Sequence, residues 1–249
     1  MEYKIRFIIL LSLSTLVFAT QLSKNSIAYK IYKNECNAKA ENLLHWNKGE
    51  NFPSLGIGHF IWYPKGVDEK FEESFPKFIK YLEQKGTKLP HWLNHTTNAP
   101  WKDKQQMRNS SKSIEITNLL IKTMNLQALF MQQKIKNILP KLLKSTPKNK
   151  QLHVKKMFNK LQKTTMGAYI LTDYLNFKGS GTNPKERYKN QGWGLLQVLL
   201  CMDDKENPAF SFSQCAKKIL LQRVKNAPPS RGEKRWIKGW FNRINTYTK

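Results

Sequence analysis

The sequence predicts an α+β protein, mostly helical, with a small N-terminal β-hairpin and a helical main lobe. Three observations carry this. Apolar residues recur at helical spacing over roughly 112–139, 150–177, 190–203, 209–225 and 229–247, with breaks at Pro140, Pro147, the run 179–184, Pro208 and Pro228–Pro229. The block from Ser54 to Pro64 instead combines Leu55, Ile57 and Phe60 to Tyr63 with Gly56 and Gly58, which favours a hairpin or short sheet. Of the 249 residues 40% are apolar and 12% aromatic, enough for a packed core, and 12 Gly and 11 Pro form no repeat.

The chain begins with Lys4 and Arg6 ahead of an apolar run from Phe7 to Leu11 that resumes at Leu13 and at Leu16 to Ala19. This is the pattern of a signal peptide over residues 1–20, and it predicts an exported protein, periplasmic or secreted, whose folded part spans 21–249. An uncleaved N-terminal anchor is the other reading of the same residues. Residues 26–36 place Ile27, Ile31 and Tyr32 on one side of a short helix, with Ser26 as N-cap and Glu35 near the end. The stretch from Ala40 to Ser54 is polar and turn-rich. From Asp68 to Gln84 the spacing of Phe71, Phe75, Phe78, Ile79 and Leu82 is helical, and Gly86 ends it. Residues 86–111 carry Trp92, Trp101, Pro90 and Pro100 among polar residues, so an irregular, aromatic-anchored insertion is expected around 64–111.

Lys and Arg number 43 against 17 Asp and Glu, a formal net charge of +26 spread over many helices. That excludes an acidic binder and predicts attraction to anionic envelope surfaces. The same field binds nucleic acid without specificity, but neither zinc-finger spacing nor an RNP-like aromatic strand accompanies it, so no specific nucleic-acid partner is expected. His91 and His95 stand four apart without a convincing third ligand, and Asp203–Asp204 read as solvated acids, so neither a metal nor an organic cofactor is implied. Of the three cysteines, Cys201 and Cys215 flank a loop between two helical patterns, where a disulfide would clip a hairpin and leave Cys36 as the odd thiol. The alternative is three small buried apolar residues.

The segment that carries chemistry is Glu35, followed fifteen to twenty-four residues later by Glu50-Asn51-Phe52-Pro53-Ser54-Leu55-Gly56-Ile57-Gly58-His59. A carboxyl at the end of an apolar helix, facing a glycine-rich hairpin with polar groups, is a way to build a glycosidase cleft. Burial at such a junction is expected to raise the pKa of one carboxyl until it can protonate a leaving oxygen. The opposing strand then supplies a nucleophile, a base or a hydroxyl that holds water.

These residues resemble the bacteriophage-type, or endolysin, lysozymes of the lysozyme superfamily, of which the chain would be a divergent member. The unit Ile31-Tyr32-Lys33-Asn34-Glu35 followed by Ser54-Leu55-Gly56-Ile57-Gly58-His59 is similar to that family's catalytic helix and hairpin strand. Ala168 to Gly179 looks like its buried central helix, and Arg223 to Gly232 with the Arg/Trp-rich stretch after it looks like its closing segment. The likeness runs over about half of the chain in pieces, the unit from Glu35 to His59 being the specific one.

The resemblance implies a lysozyme-like fold with Glu35 as general acid and Ser54 as the hydroxyl that positions the attacking water. The family's second carboxylate aligns with Lys48, leaving Glu50, two residues on, to take its place. His59 and Asn176 would have supporting roles against substrate, and Trp62, with Trp46 and Trp92, would offer an aromatic face to a sugar ring. Gly192-Trp193-Gly194-Leu195-Leu196-Gln197 looks like the Gly-Leu-Met-Gln motif of the lytic transglycosylases, which makes Gln197, with Glu186, a further cleft candidate; a helix start packed in the core is the competing reading.

The function expected is hydrolysis of the β-1,4 bonds of peptidoglycan or a related amino-sugar polymer by a monomer. The alternatives are a lytic transglycosylase and a catalytically inactive, cationic envelope-binding or peptidoglycan-binding protein, for which Lys48 speaks.

Overall fold

The computed structural model describes residue 23 and residues 26–67 and 71–249. The apolar stretch over 1–20 and its export reading lie outside the described residues.

The fold is α+β, predominantly helical, with a small three-stranded antiparallel sheet near the N-terminus. Helix α1 (Ile27–Cys36) starts where the Ser26 hydroxyl accepts the Tyr29 N–H, and Asn37, in the left-handed region, ends it. The sheet follows as β1 (Leu44–His45), β2 (Ser54–Leu55) and β3 (Phe60–Ile61), in that order, with Leu44 opposite Leu55 and Ser54 opposite Ile61. Strand β1 falls in the stretch that reads as polar turn. Its two residues pair because Gly56 donates to the Leu43 carbonyl beside them, a tertiary bond with no local signature.

Helix α2 (Phe75–Gln84) begins later than its periodicity suggests, with Pro76 in its first turn, where a missing N–H costs nothing. Gly86, with φ of 72°, follows its end. Between α2 and the main lobe the chain is irregular apart from a 3₁₀ turn over His91–His95 and the short α3 (Lys104–Arg108). Trp62 anchors it, stacked on Trp92 and edge-on to Trp101.

The main lobe comprises α4 (Ser111–Lys122), α5 (Met124–Lys144), α6 (Lys148–Gln162), α7 (Thr165–Lys178), α8 (Leu195–Cys201), α9 (Pro208–Asn226) and α10 (Ile237–Ile244). Two stretches with unbroken periodicity are each split. The Thr123 hydroxyl bonds back to the Leu119 carbonyl and separates α4 from α5. Thr164 accepts the Gly167 N–H and restarts the chain as α7. Conversely, Pro140 does not end α5; it removes one bond to the carbonyl of exposed Lys136, and the helix runs on to Lys144.

The central helix is α7, which packs against α1, α5, α6, α8 and α9 and buries Tyr169, Ile170, Leu171 and Tyr174. Gly167 lets its first turn meet the end of α6: a Cβ there would lie 1.9 Å from the Leu161 carbonyl oxygen. A disulfide joins Cys201 at the end of α8 to Cys215 in α9, and Cys36 is a buried free thiol pushed up to about 12 by burial and by Glu35 beside it. Among the described residues no helix is long and apolar enough to cross a membrane.

Candidate active site between the sheet and the helical body

One buried hydrogen bond fixes the loop between β2 and β3 to the main lobe, and a second holds its acceptor in place. Gln127 on α5 is fully buried; its side-chain oxygen accepts the Ile57 N–H at 2.8 Å, and its Nε2 donates to the Leu120 carbonyl at 2.7 Å. Gly56 makes room for that amide, since a Cβ there would stand 2.3 Å from Gln127 Oε1, and its φ of 72° is one that other residues resist. The loop then turns through His59, which holds φ of 47°, a strained value for a residue with a Cβ.

This turn brings His59 over Glu35, in the last turn of α1. The Glu35 side chain is 11% exposed and has partners from three directions. Arg243 Nη2 on α10 donates to its Oε1 at 2.6 Å, Asn176 Nδ2 on α7 donates to the same oxygen at 2.9 Å, and His59 Nε2 lies 3.8 Å from Oε2. Oε2 thus has no close donor among these three. His59 Nε2 is buried without a hydrogen-bond partner.

Burial, and a position at the negative end of a helix, would raise the Glu35 pKa; the Arg243 charge, then His59 and the two hydrogen bonds, outweigh them and hold it below the usual carboxylate range. This corrects the expectation of a raised carboxyl, because the counter-cation comes from a segment two hundred residues away. His59 is pushed below the ordinary histidine value by burial, against the pull of Glu35.

Arg243 is itself held by Asp173, a carboxylate with no exposed surface on α7. Its Nε reaches Asp173 Oδ2 at 2.8 Å and its Nη2 reaches Oδ1 at 2.9 Å. Tyr247 donates to Oδ2 at 2.6 Å and Asn34 to Oδ1 at 3.2 Å. The cluster joins α1, α7 and the C-terminal segment, so the partners of Glu35 are positioned by the core.

Glu35 opens onto a cavity of about 740 Å³ between the sheet and the helices. Gly58, His59, Phe60 and Ile61 line it from the sheet side; Met131, Lys134, Asn137, Ile138 and Lys141 from α5; and Thr172, Leu175, Asn176 and Phe177 from α7. Glu72 and Ser74 close another side. Glu72 is ion-paired with Lys77 at 2.6 Å and lowered by that bond, with further help from Lys134 and Lys141.

Of the residues singled out in the sequence, Glu35, His59 and Asn176 meet here. Glu50 does not: it accepts from Asn47 Nδ2 at 2.9 Å and lines a separate depression with Phe52 and Phe71. Ser54 is buried in the central strand and is not among the residues lining the cavity. Trp62 is a core residue, 1% exposed, whose indole donates to the Thr97 carbonyl, so its ring is not available to a ligand. Trp46 is buried with its indole on the Glu50 carbonyl, and the aromatics that do line the cavity are Phe60 and Phe177. Gln197 is a clasp: its oxygen accepts the Gly194 N–H and its nitrogen donates to the Gly181 carbonyl, which follows the core-packed helix start.

Glu72, Asp173 and Arg243 are the residues that sequence reasoning missed. Asp173 had a signal, being the lone charge between Thr165 and Phe177 in an otherwise apolar helix, where a buried acid demands a partner. Among the described residues no group of three or more His, Cys, Asp or Glu side chains could hold a metal ion. No protein-family model, no curated protein and no solved structure matches this chain.

Proposed function

We propose that the protein is a lysozyme-like glycoside hydrolase that cleaves β-1,4 bonds of peptidoglycan or a related amino-sugar polymer, with Glu35 as the proton donor. The observation that carries this reading is the sugar-sized cavity with a largely buried carboxyl in its wall, one of whose oxygens has no close donor. A pyranose ring set against half-buried Phe177 would bring a glycosidic oxygen toward Glu35 Oε2, while Arg243 and Asn176 keep the carboxyl oriented through Oε1.

In the free protein Glu35 is ionised at neutral pH. Substrate that expels water from the cavity strengthens the desolvation that already favours the protonated form, so proton uptake is coupled to binding. Glu72 replaces Glu50 as the acid that shares the cavity, and its lowered pKa keeps it a carboxylate, suited to hold water or to face an oxocarbenium-like transition state.

A second reading, an inactive cationic protein that binds envelope polymer on the same scaffold, is favoured by the Arg243 ion pair that keeps Glu35 ionised. A lytic transglycosylase is the third. One experiment separates them: wild type and Glu35→Gln on purified peptidoglycan, with soluble fragments followed by mass spectrometry. The hydrolase reading expects hydrated reducing ends from wild type and a loss of about 10²–10⁴-fold in Glu35→Gln. Fragments with 1,6-anhydro ends would mean transglycosylase, and binding without release by both proteins would leave the binder.

A further inference from the structure

We propose that Lys134 and Lys141 make the cavity selective for amino-sugar polymers whose substituents carry carboxylates, over neutral polymers of the same backbone. This rests on the glycosidase reading and names its substrate class. Both lysines line the cavity that holds Glu35, and both are exposed at its rim. They are seven residues apart on α5, so they share a face, with Ile138 between them, at about 10.5 Å along the axis.

The charges around them are uneven. The two acids of the cavity already have cations of their own: Glu35 is paired with Arg243 at 2.6 Å and Glu72 with Lys77 at 2.6 Å. Among the described residues neither Lys134 nor Lys141 lies within ion-pair distance of a carboxylate. Lys134 and Lys141 act on Glu72 only through their field, without a direct ion pair, so the α5 side of the cavity carries two positive charges beyond those that pair its acids. Ammonium groups on flexible stems suit carboxylates whose position varies along a substituent, whereas a neutral polymer would gain nothing from them. Asn137 on the same stretch adds an uncharged hydrogen-bonding group for the backbone sugars.

The test uses the full chain and reads binding apart from catalysis. Co-sedimentation with insoluble peptidoglycan, native or with its carboxyls converted to amides, is measured for wild type, for Lys134→Gln/Lys141→Gln, and for Lys148→Gln/Lys155→Gln, which removes the same charge from exposed positions on α6 outside the cavity. The expected result is about a tenfold weaker affinity of the cavity variant for native polymer, little change for the control, and equal affinity of wild type and cavity variant once the carboxyls are amidated. Equal losses in the two variants would mean that net charge alone binds the polymer and would overturn the proposal, as would unchanged binding by the cavity variant. Fragment release by wild type, scored on the same samples, reports on the hydrolase reading separately, so either can fail while the other stands.

Discussion

Two arginine–carboxylate clusters tie the C-terminal segment to the body, and they differ in one respect. In the first, Arg223 grips buried Glu233 through both carboxylate oxygens, at 2.7 and 2.8 Å, and Tyr188 donates to one of them at 2.9 Å. Every oxygen is taken. In the second, Arg243 grips buried Asp173 in the same manner but extends Nη2 to Glu35, a residue that lines the cavity and whose second oxygen has only His59 at 3.8 Å. The closed cluster is structural. The open one carries the same structural pair plus a third charge on a residue that lines a cavity, so the fold holds that carboxyl firmly without engaging both of its oxygens.

Breaking either arginine should be costly, and more so on the open side. Arg243→Met strands a buried carboxylate and releases Glu35, so a loss of about 3–5 kcal/mol is expected by thermal or urea unfolding, with Arg223→Met at the lower end of that range. Replacing Asp173 with Asn in the Arg243→Met background removes the stranded charge and should recover part of the loss. Recovery with no change in Glu35 titration would break the link between the two acids.

The pH dependence sharpens the contrast. Glu35 and Glu233 are both lowered in the folded protein, so each adds stability that is present above the usual carboxylate range and is lost as pH falls through the folded pKa. Only Glu35 should also appear in a rate profile. If Glu35 is the proton donor we propose, kcat/KM is expected to rise toward acid pH in wild type, and its limb should move to higher pH in Arg243→Met/Asp173→Asn, where only His59 and the Asn176 hydrogen bond still oppose the effect of burial.

Removing one hydroxyl from each cluster is a smaller probe. Tyr247→Phe deletes a 2.6 Å bond to a buried charge and should cost about 1.5–3 kcal/mol, while Tyr188→Phe, at a half-buried position, should cost less.

One substitution is expected to give a gain. Lys178 is sandwiched between Phe177 and Trp240, with Arg223 and Arg243 nearby; burial and those two charges lower it to about 6. The unfolded chain holds that proton up to about 10.4, so wild type is penalised below that value and fully so below 6. Lys178→Met should therefore raise the melting temperature at pH 7, by an amount that shrinks as pH rises toward 10.

What could be read in the sequence follows from which interactions are local. The end of α1 at Glu35, the glycines before His59, the helical lobe and the Cys201–Cys215 pair all leave their mark within a few residues: a cap, a left-handed turn, a period or a loop between thiols. The splits at Thr123 and Thr164 were hidden because apolar spacing survives a one-residue break when both halves pack on the same core. Glu50 stands nearest the hairpin in sequence, yet the acid that joins Glu35 at the cavity is Glu72, twenty-two residues on, because the Ser74 N–H donates back to the Ile61 carbonyl and the Glu73 carboxylate accepts the Tyr63 N–H, which holds that segment beside β3. Trp62 shows the complementary error: aromatic content says what can stack on a sugar, and only packing says which ring is free. Arg243 could not be assigned to Glu35 from spacing at all.

The most direct test of the open-versus-closed contrast is an NMR titration of the Glu35 and Glu233 side-chain carboxyl carbons, with and without a soluble peptidoglycan oligosaccharide. Both carboxyls are expected to titrate below the usual range in the free protein, and Glu35 alone to move upward when the oligosaccharide is added. A Glu35 carboxyl that does not respond to saturating oligosaccharide, or a Glu233 carboxyl that responds equally, would contradict that contrast.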